Sequence, residues 1–403
     1  MISVSEARTR IISSLTPVAN EIVALPQANG RTLAEDLHAS LSQPPVAFSA
    51  MDGYAVRFQD LETLPAVLSV IGEAPAGGAY NGAIEKDQAV RIFTGGPVPK
   101  GADAIVIQEN ALRDAETVTI AKAPPLGQYI RVAGLDFKIG ELGIRAGTCL
   151  GAREIGLAAA MNRPWVCVKK RPRVSLLATG DEVVRPGEPV GQNQIVGSNT
   201  LAMAALLSNN GADPTDLGIA MDTRESLLGV ADMVKGSDLL ITMGGASVGE
   251  HDIVKSVFEE CGLKTDFWQV AMRPGKPLMF GTFNTVPMLG LPGNPVSSLV
   301  CGLIFVLPAI QTLLGQSKRA PQLESAILGC EVSANDNRED YLRAKLSEVN
   351  AELVVTPFST QDSSMLTVLA NADCLLLRRP NAPFAEVGET VDIIRLKPNL
   401  IGY

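Results

Sequence analysis

Hydrophobic positions change their period several times along the chain. At the start, Val4, Ala7, Ile11, Ile12 and Leu15 recur at helical spacing, the mark of an amphipathic helix. Ser3 and Glu6 form a capping-box pattern at its beginning. After Pro44-Pro45 the texture shifts to short β-branched runs at 67–71, 104–107 and 117–120, separated by glycine and proline turns. They predict a β-rich inserted domain. Helical periodicity returns at 152–161.

Beyond the basic, proline-bearing Lys169-Lys170-Arg171-Pro172 the pattern becomes strand, glycine loop and helix, repeated. Strands are predicted at 174–178, 217–220, 239–243 and 288–291, with helices at 200–209, 225–234 and 253–261 and Gly211 and Gly262 as C-terminal stops. This predicts a doubly wound α/β domain, whose ligands sit beyond the carboxyl ends of the strands. Strand-like runs at 353–355, 375–377 and 391–394 then predict a small C-terminal β-barrel or sandwich. The expected domains are 1–44 with 137–170 (N-terminal helical and linker), 45–136 (β-rich insert), 171–318 (α/β) and 319–403 (β-barrel).

One stretch invites a membrane reading, because no charged residue occurs from Pro277 to Ser317. Pro287, Pro292, Pro295 and Pro308 with Gly281, Gly290 and Gly293 are expected to break it into elements shorter than the ~20 residues that span a bilayer. A buried core helix is the expectation.

Composition narrows the picture. At 403 residues and 46% hydrophobic, the chain is long enough for two or three domains with cores of their own. A net charge of −9 and only 4% aromatic residues argue against nucleic acid, which needs basic surface and stacking platforms. Six scattered cysteines, with no C-x-x-C pair and no clustering around His38 or His251, fit a reduced, cytoplasmic chain. Arg8 and Arg10 lie inside the first helical pattern, so no signal peptide and no membrane partner are expected.

Four predicted strand ends carry loops that converge on one rim. Taken alone, Thr179-Gly180-Asp181-Glu182 reads better as a solvated turn, and Asp222 with Glu225 fits a capping box, so neither decides a site by itself. The loop Gly244-Gly245-Ala246-Ser247-Val248-Gly249-Glu250-His251-Asp252 is more informative, since bare backbone N–H groups between strand and helix can approach an oxyanion. Gly290-Leu291-Pro292-Gly293-Asn294-Pro295 places Asn294 as N-cap and Pro295 at the first helical position. Arg273-Pro274-Gly275-Lys276-Pro277 is a stiff turn projecting two cations toward the same rim. With Glu182, Asp222 and Asp252 as oxygen donors, the residues predict an anionic, phosphorylated small-molecule site with Mg²⁺.

Six segments also carry a resemblance: Ser49-Ala50-Met51-Asp52-Gly53-Tyr54-Ala55, Thr94-Gly95-Gly96-Pro97-Val98-Pro99, Thr179 to Glu182, Gly244 to Asp252, Arg273 to Pro277 and Leu291 to Pro295. Together, in order across the chain, they resemble the MoeA family of molybdopterin molybdenumtransferases, related to the E domain of gephyrin. The resemblance implies a MogA-like α/β domain in a four-domain subunit, a homodimer with a shared site, and insertion of molybdate into adenylylated molybdopterin with release of AMP and a requirement for Mg²⁺. It also allows for contact with molybdopterin adenylyltransferase. It places Asp52, Thr94 and Asp136 on the insert side of the cleft and Glu182, Asp222 and Asp252 on the α/β side. It gives molybdate to Ser247, Arg273, Lys276, Arg343 and Ser363, with Pro277, Pro292, Asn294 and Pro295 shaping the substrate loops. Arg273 departs from the family's usual lysine, and Ser363 or Ser364 fits the last position. Two rivals remain: an adenylyltransferase, which would leave the Asp52 segment and C-terminal domain without a role, and a gephyrin-like scaffold.

Overall fold

The computed structural model describes residues 1–221, 223–244, 258–260, 262–316 and 321–396. Its centre is a mixed six-stranded sheet in the order Asp213–Ala220, Arg173–Thr179, Leu239–Met243, Val286–Leu291, Met279–Phe283 and Leu263–Phe267. The first four strands run parallel, with registers such as Val174↔Leu239 and Leu240↔Met288. The last two form antiparallel pairs at the far edge. Fully buried runs, such as the five buried residues of Leu239–Met243, are what a sheet covered on both faces requires.

The helix Val4–Ser14 begins as its caps dictate, with Ser3 Oγ accepting from the Glu6 N–H at 3.1 Å. Its stripe of Val4, Ala7, Ile11 and Leu15 packs into the same core as Val174, Leu289 and Leu313. Burying each large aliphatic side chain there contributes about 1.5–3 kcal/mol. This helix therefore packs with the α/β core. Asn20–Ala24 pairs with Trp165–Lys169 and Leu37–His38 with Leu142–Ile144, around Leu25, Leu33, Leu150 and Val168.

The insert is a curled six-stranded sheet ordered Ala104–Ile107, Gly53–Val56, Gln88–Ile92, Ala66–Ala74, Thr117–Ile120, Ala111–Asp114. Strand periodicity of two sorts its residues onto two cores: Tyr54, Val56, Ala104 and Val106 face one, Ala55, Val90 and Ile105 the other. At the C-terminus, Glu324–Leu328, Glu339–Val349, Glu352–Pro357, Cys374–Arg378 and Thr390–Arg395 pair around a closed circuit, forming a five-stranded barrel.

The uncharged stretch departs from expectation in one respect. Pro295–Cys301, the π-helical Gly302–Val306 and Leu307–Leu313 run on as one helix of 19 residues. Pro308 does not break it, because the wider π turns before it shift the hydrogen-bond ladder where proline cannot donate. Of its most apolar 18-residue window, 83% is buried inside the molecule, which makes it the core element that its composition predicts.

Candidate functional site

A cavity of about 930 Å³ opens beyond the carboxyl ends of the parallel strands, where the topology of the sheet places ligands. Its wall takes Thr179 from one strand end, Met243 and Gly244 from the next, and Pro292, Gly293, Asn294 and Pro295 from the loop after Val286–Leu291. Pro277 borders it from the proline-rich turn, Ser364 and Leu366 from the C-terminal barrel domain, and Glu182 with Arg185 from a flap. That flap is tied to the following segment by bonds from Ile195 N–H to Glu182 O and from Gly197 N–H to Val184 O, both 2.8 Å.

Backbone approach explains the glycine at the end of the central strand. Gly244 has φ +104°, and a Cβ there would lie 2.3 Å from the Thr179 carbonyl oxygen, so only glycine lets the two strand ends meet. Thr179 is buried, and its Oγ1 has no hydrogen-bond partner among the described residues. The residue borders the cavity, but the hydroxyl itself is buried against the end of the neighbouring strand at Gly244.

Of the residues singled out from sequence, Glu182, Pro277, Pro292, Asn294 and Pro295 line the cavity. Ser247, Asp222 and Asp252 lie outside the described residues. Asn294 stands where an N-cap is expected, before Pro295 at the first helical position, but its side chain makes no capping bond. Its Nδ2 donates instead to Ser363 Oγ at 3.0 Å, while Val296 N–H donates to the Ser363 carbonyl. Ser363 thus fastens the barrel domain to the helix, and its neighbour Ser364 faces the cavity. Ser364 is held by Asp362, whose Oδ1 accepts from its N–H at 2.8 Å and its hydroxyl at 2.6 Å. These two bonds hold the Asp362 carboxyl below its ordinary value.

Arg343 lies behind this turn and not on the cavity wall. It is 1% exposed, and its Nη2 donates to the Asp362 carbonyl at 3.2 Å. No carboxylate lies within 4.0 Å of it among the described residues, and Nε is unpartnered. Burial pulls its pKa down and Asp362 pushes it back up.

Arg273 differs most from expectation. Met272–Arg273 pairs in parallel with the barrel strand Glu339–Val349, and Arg273 Nη2 bonds Asp336 Oδ2 at 2.6 Å, with Nη1 3.5 Å from Asp340. A guanidinium fork meets paired carboxylates better than a lysine point charge does, and here the fork faces the barrel and not the cavity. Asp340 is buried with Oδ1 unpartnered. Burial pushes its carboxyl above the ordinary range, and Arg273 opposes the rise. Lys276 is half-buried and makes no side-chain ion pair among the described residues.

On the insert, Thr94 donates both its N–H, at 2.7 Å, and its hydroxyl, at 2.8 Å, to Asp52 Oδ1. These bonds, with the charge of Arg91 adding to them, hold the Asp52 carboxyl below its usual value. Arg91 is stacked between Tyr54 and Phe93, 5.1 and 5.0 Å from the ring centroids, and donates to Gly53 O at 3.2 Å. The sequence pattern does not single out Arg91, because its place beside Asp52 comes from the pairing of Gln88–Ile92 with Gly53–Val56. Asp136 is exposed where the insert rejoins the linker, its N–H on Gln43 O. Asp52, Thr94 and Asp136 do not line the cavity of their own chain. Among the described residues no three Asp, Glu, His or Cys side chains gather into a metal-binding group.

A mixed α/β sheet with a ligand cavity at its carboxyl rim, flanked by an inserted β domain and a terminal barrel, defines a multidomain α/β enzyme of small-molecule chemistry. Comparison with known proteins narrows the class. Residues 2–162 match the MoeA N-terminal region (domain I and II), 175–312 the probable molybdopterin binding domain and 325–396 the MoeA C-terminal region (domain IV). The molybdopterin molybdenumtransferase of Nostoc sp. is 37% identical over 93% of this chain and 88% of its own. That of Haemophilus influenzae is 33% identical over 98% of both chains. The crystal structure of the molybdopterin biosynthesis MoeA protein from Pyrococcus horikoshii superposes with a TM-score of 0.85 at 28% identity, covering 98% of this chain and 99% of that one. The chain belongs to the MoeA family, the molybdopterin molybdenumtransferases of molybdenum cofactor biosynthesis.

Proposed function

We propose that the protein inserts molybdate into adenylylated molybdopterin and releases AMP, as a homodimer in the cytoplasm. The observation that supports this best is the cavity at the strand carboxyl ends, bordered at once by the flap, the proline-rich loops and Ser364 of the barrel domain. An adenylylated dithiolene pterin is long, and a cavity of about 930 Å³ is in the size range for burying most of such a ligand.

Lys276, next to the Pro277 that borders the cavity, holds the molybdate oxyanion, with the field of the buried Arg343 behind the Ser363-Ser364 turn. Pro277, Pro292 and Pro295 keep their loops stiff, so little entropy is lost when the ligand is fixed. Asn294 and Ser363 bind the barrel to the helix and so keep the two halves of the pocket together. Asp52, fixed by Thr94, approaches the adenylate end from the partner subunit, and Asp136 is assigned to the same side of the cleft. Glu182 fits the hard-cation chemistry expected of a Mg²⁺ ligand, being an exposed carboxylate on the wall, and Asp222 and Asp252, assigned from sequence alone, would complete the oxygen donor set. When bound, Mg²⁺ would neutralise pyrophosphate charge as the adenylate bond is cleaved.

Purified protein given adenylylated molybdopterin, molybdate and Mg²⁺ is expected to consume the pterin substrate, and chelating the metal is expected to stop it. Equal consumption with excess chelator would remove Mg²⁺ from the account.

A further inference from the structure

The cavity needs a cation for the diphosphate of its substrate, and Arg273 is turned toward the barrel domain. Among the described residues on the wall, the one cation is Arg185. Three features build this residue into place. First, Arg185-Pro186-Gly187-Glu188 is a tight turn with proline second and glycine third at φ +92°, the pattern of a type II turn. Second, the turn is closed from both sides: Glu188 N–H donates to Arg185 O at 3.1 Å, and Arg185 N–H donates to Glu188 Oε2 at 2.9 Å. Third, the guanidinium rests on Gly218, where an added Cβ would lie 3.0 Å from Nη2.

Gly218 has φ +93° at a register shift between Asp213–Ala220 and Arg173–Thr179, with its N–H on Asp216 Oδ1 at 2.8 Å. A bulge of this kind re-aims an edge strand beside a site. Here it clears the space that the Arg185 side chain occupies. No carboxylate lies within 4.0 Å of the Arg185 guanidinium among the described residues, so its five donors are available to a ligand.

We propose that Arg185 binds a phosphate of the adenylylated substrate, and so sets affinity for the nucleotide-bearing pterin without contributing to molybdate capture. The proposal rests on the reading of the cavity as the adenylylated-molybdopterin site. A planar fork against phosphate oxygens is a charge-assisted, two-pronged contact, and the stiff turn beneath it limits the entropy lost on binding.

Steady-state kinetics on the full-length protein test it with Arg185→Gln and Arg185→Lys. Arg185→Gln is expected to raise KM for adenylylated molybdopterin by about ten- to hundredfold, with kcat and the KM for molybdate within about twofold of wild type. Arg185→Lys should recover part of the loss. Wild-type KM in Arg185→Gln overturns the proposal, as does a fall in kcat at constant KM. Titration with AMP alone gives a second reading that needs no turnover: weaker binding by Arg185→Gln supports the assignment, and equal binding refutes it. Failure of the wild type to consume adenylylated molybdopterin, with AMP binding still sensitive to Arg185, would sink the functional reading and leave the anion site standing.

Discussion

Thr94 closes on Asp52 with both of its donors, its N–H and its hydroxyl reaching the same oxygen, Oδ1, at 2.7 and 2.8 Å. Gln108 N–H holds the Asp52 carbonyl at 3.1 Å, and Arg91 pins the next carbonyl at Gly53. The carboxylate is therefore presented from a fixed backbone with one oxygen spoken for. Rigid support of this kind is what a group acting on a bound phosphate ester requires.

Asp52→Ala should leave folding and dimerisation intact and abolish AMP release. The sign of its titration follows from the bonds: the folded carboxyl titrates below its ordinary value, so the ionised form is favoured and its stabilisation disappears only as pH falls through that lowered value. Activity should accordingly show no acid limb from Asp52 between about pH 5 and 8. Thr94→Val should raise the Asp52 pKa, which NMR titration of that carboxyl can read. The backbone N–H bond survives in Thr94→Val, so an unchanged pKa would contradict the role given to the hydroxyl bond alone.

Asp52 and Glu182 lie on different domains, and only Glu182 borders the cavity of its own chain. If the site is shared between subunits, mixing inactive Asp52→Ala with inactive Glu182→Ala under subunit exchange restores activity, because each mixed dimer carries one intact site. Persistent inactivity in mixtures shown to contain mixed dimers would place the site within one chain.

Lys276→Ala should weaken molybdate use by about one to two decades, the loss expected for one charge-assisted contact, with partial rescue at high molybdate. The KM for adenylylated molybdopterin should barely move. A molybdate dependence identical to wild type would reject the pocket assigned to Lys276.

Arg273→Ala should act on stability. Its pair with Asp336 is half-exposed on both sides and contributes little by itself, but the same fork offsets the burial of Asp340. A carboxyl raised in the folded state adds stability below its unfolded pKa, and that stability is lost as pH rises through the folded value. Removing Arg273 raises Asp340 further, so the deficit should be near zero at pH 4 and on the order of 1 kcal/mol at pH 7 to 8. Thermal melts at the two pH values measure it. A deficit independent of pH would exclude Asp340 as its source.

Much of the framework was legible wherever burial imposed a period. Leu239–Met243, Ala104–Ile107 and Thr117–Ile120 coincide with their predicted apolar runs. Asp213–Ala220 begins four residues before its predicted start because Asp213, Thr215 and Asp216 are exposed on an edge strand, where hydrophobicity carries no signal. The pair Leu263–Phe267 and Met279–Phe283 was missed: Lys264, Thr265 and Asp266 are exposed in the first, and the second sits in a run that reads equally as core helix. At the site, loops with glycine and proline announced themselves. Which way a side chain turns did not: Arg273 reaches Asp336, 63 residues away, and Asn294 reaches Ser363, 69 residues away. Those directions follow from how the barrel packs, through Tyr341 and Leu377, onto the α/β core, which no local pattern encodes.

The most direct test follows AMP while molybdate is titrated into protein, adenylylated molybdopterin and Mg²⁺. The account predicts AMP release that rises and saturates with molybdate, in step with a product that restores activity to a molybdenum-free apoenzyme. AMP release indifferent to molybdate, or formation of adenylylated molybdopterin from ATP and molybdopterin, would contradict it.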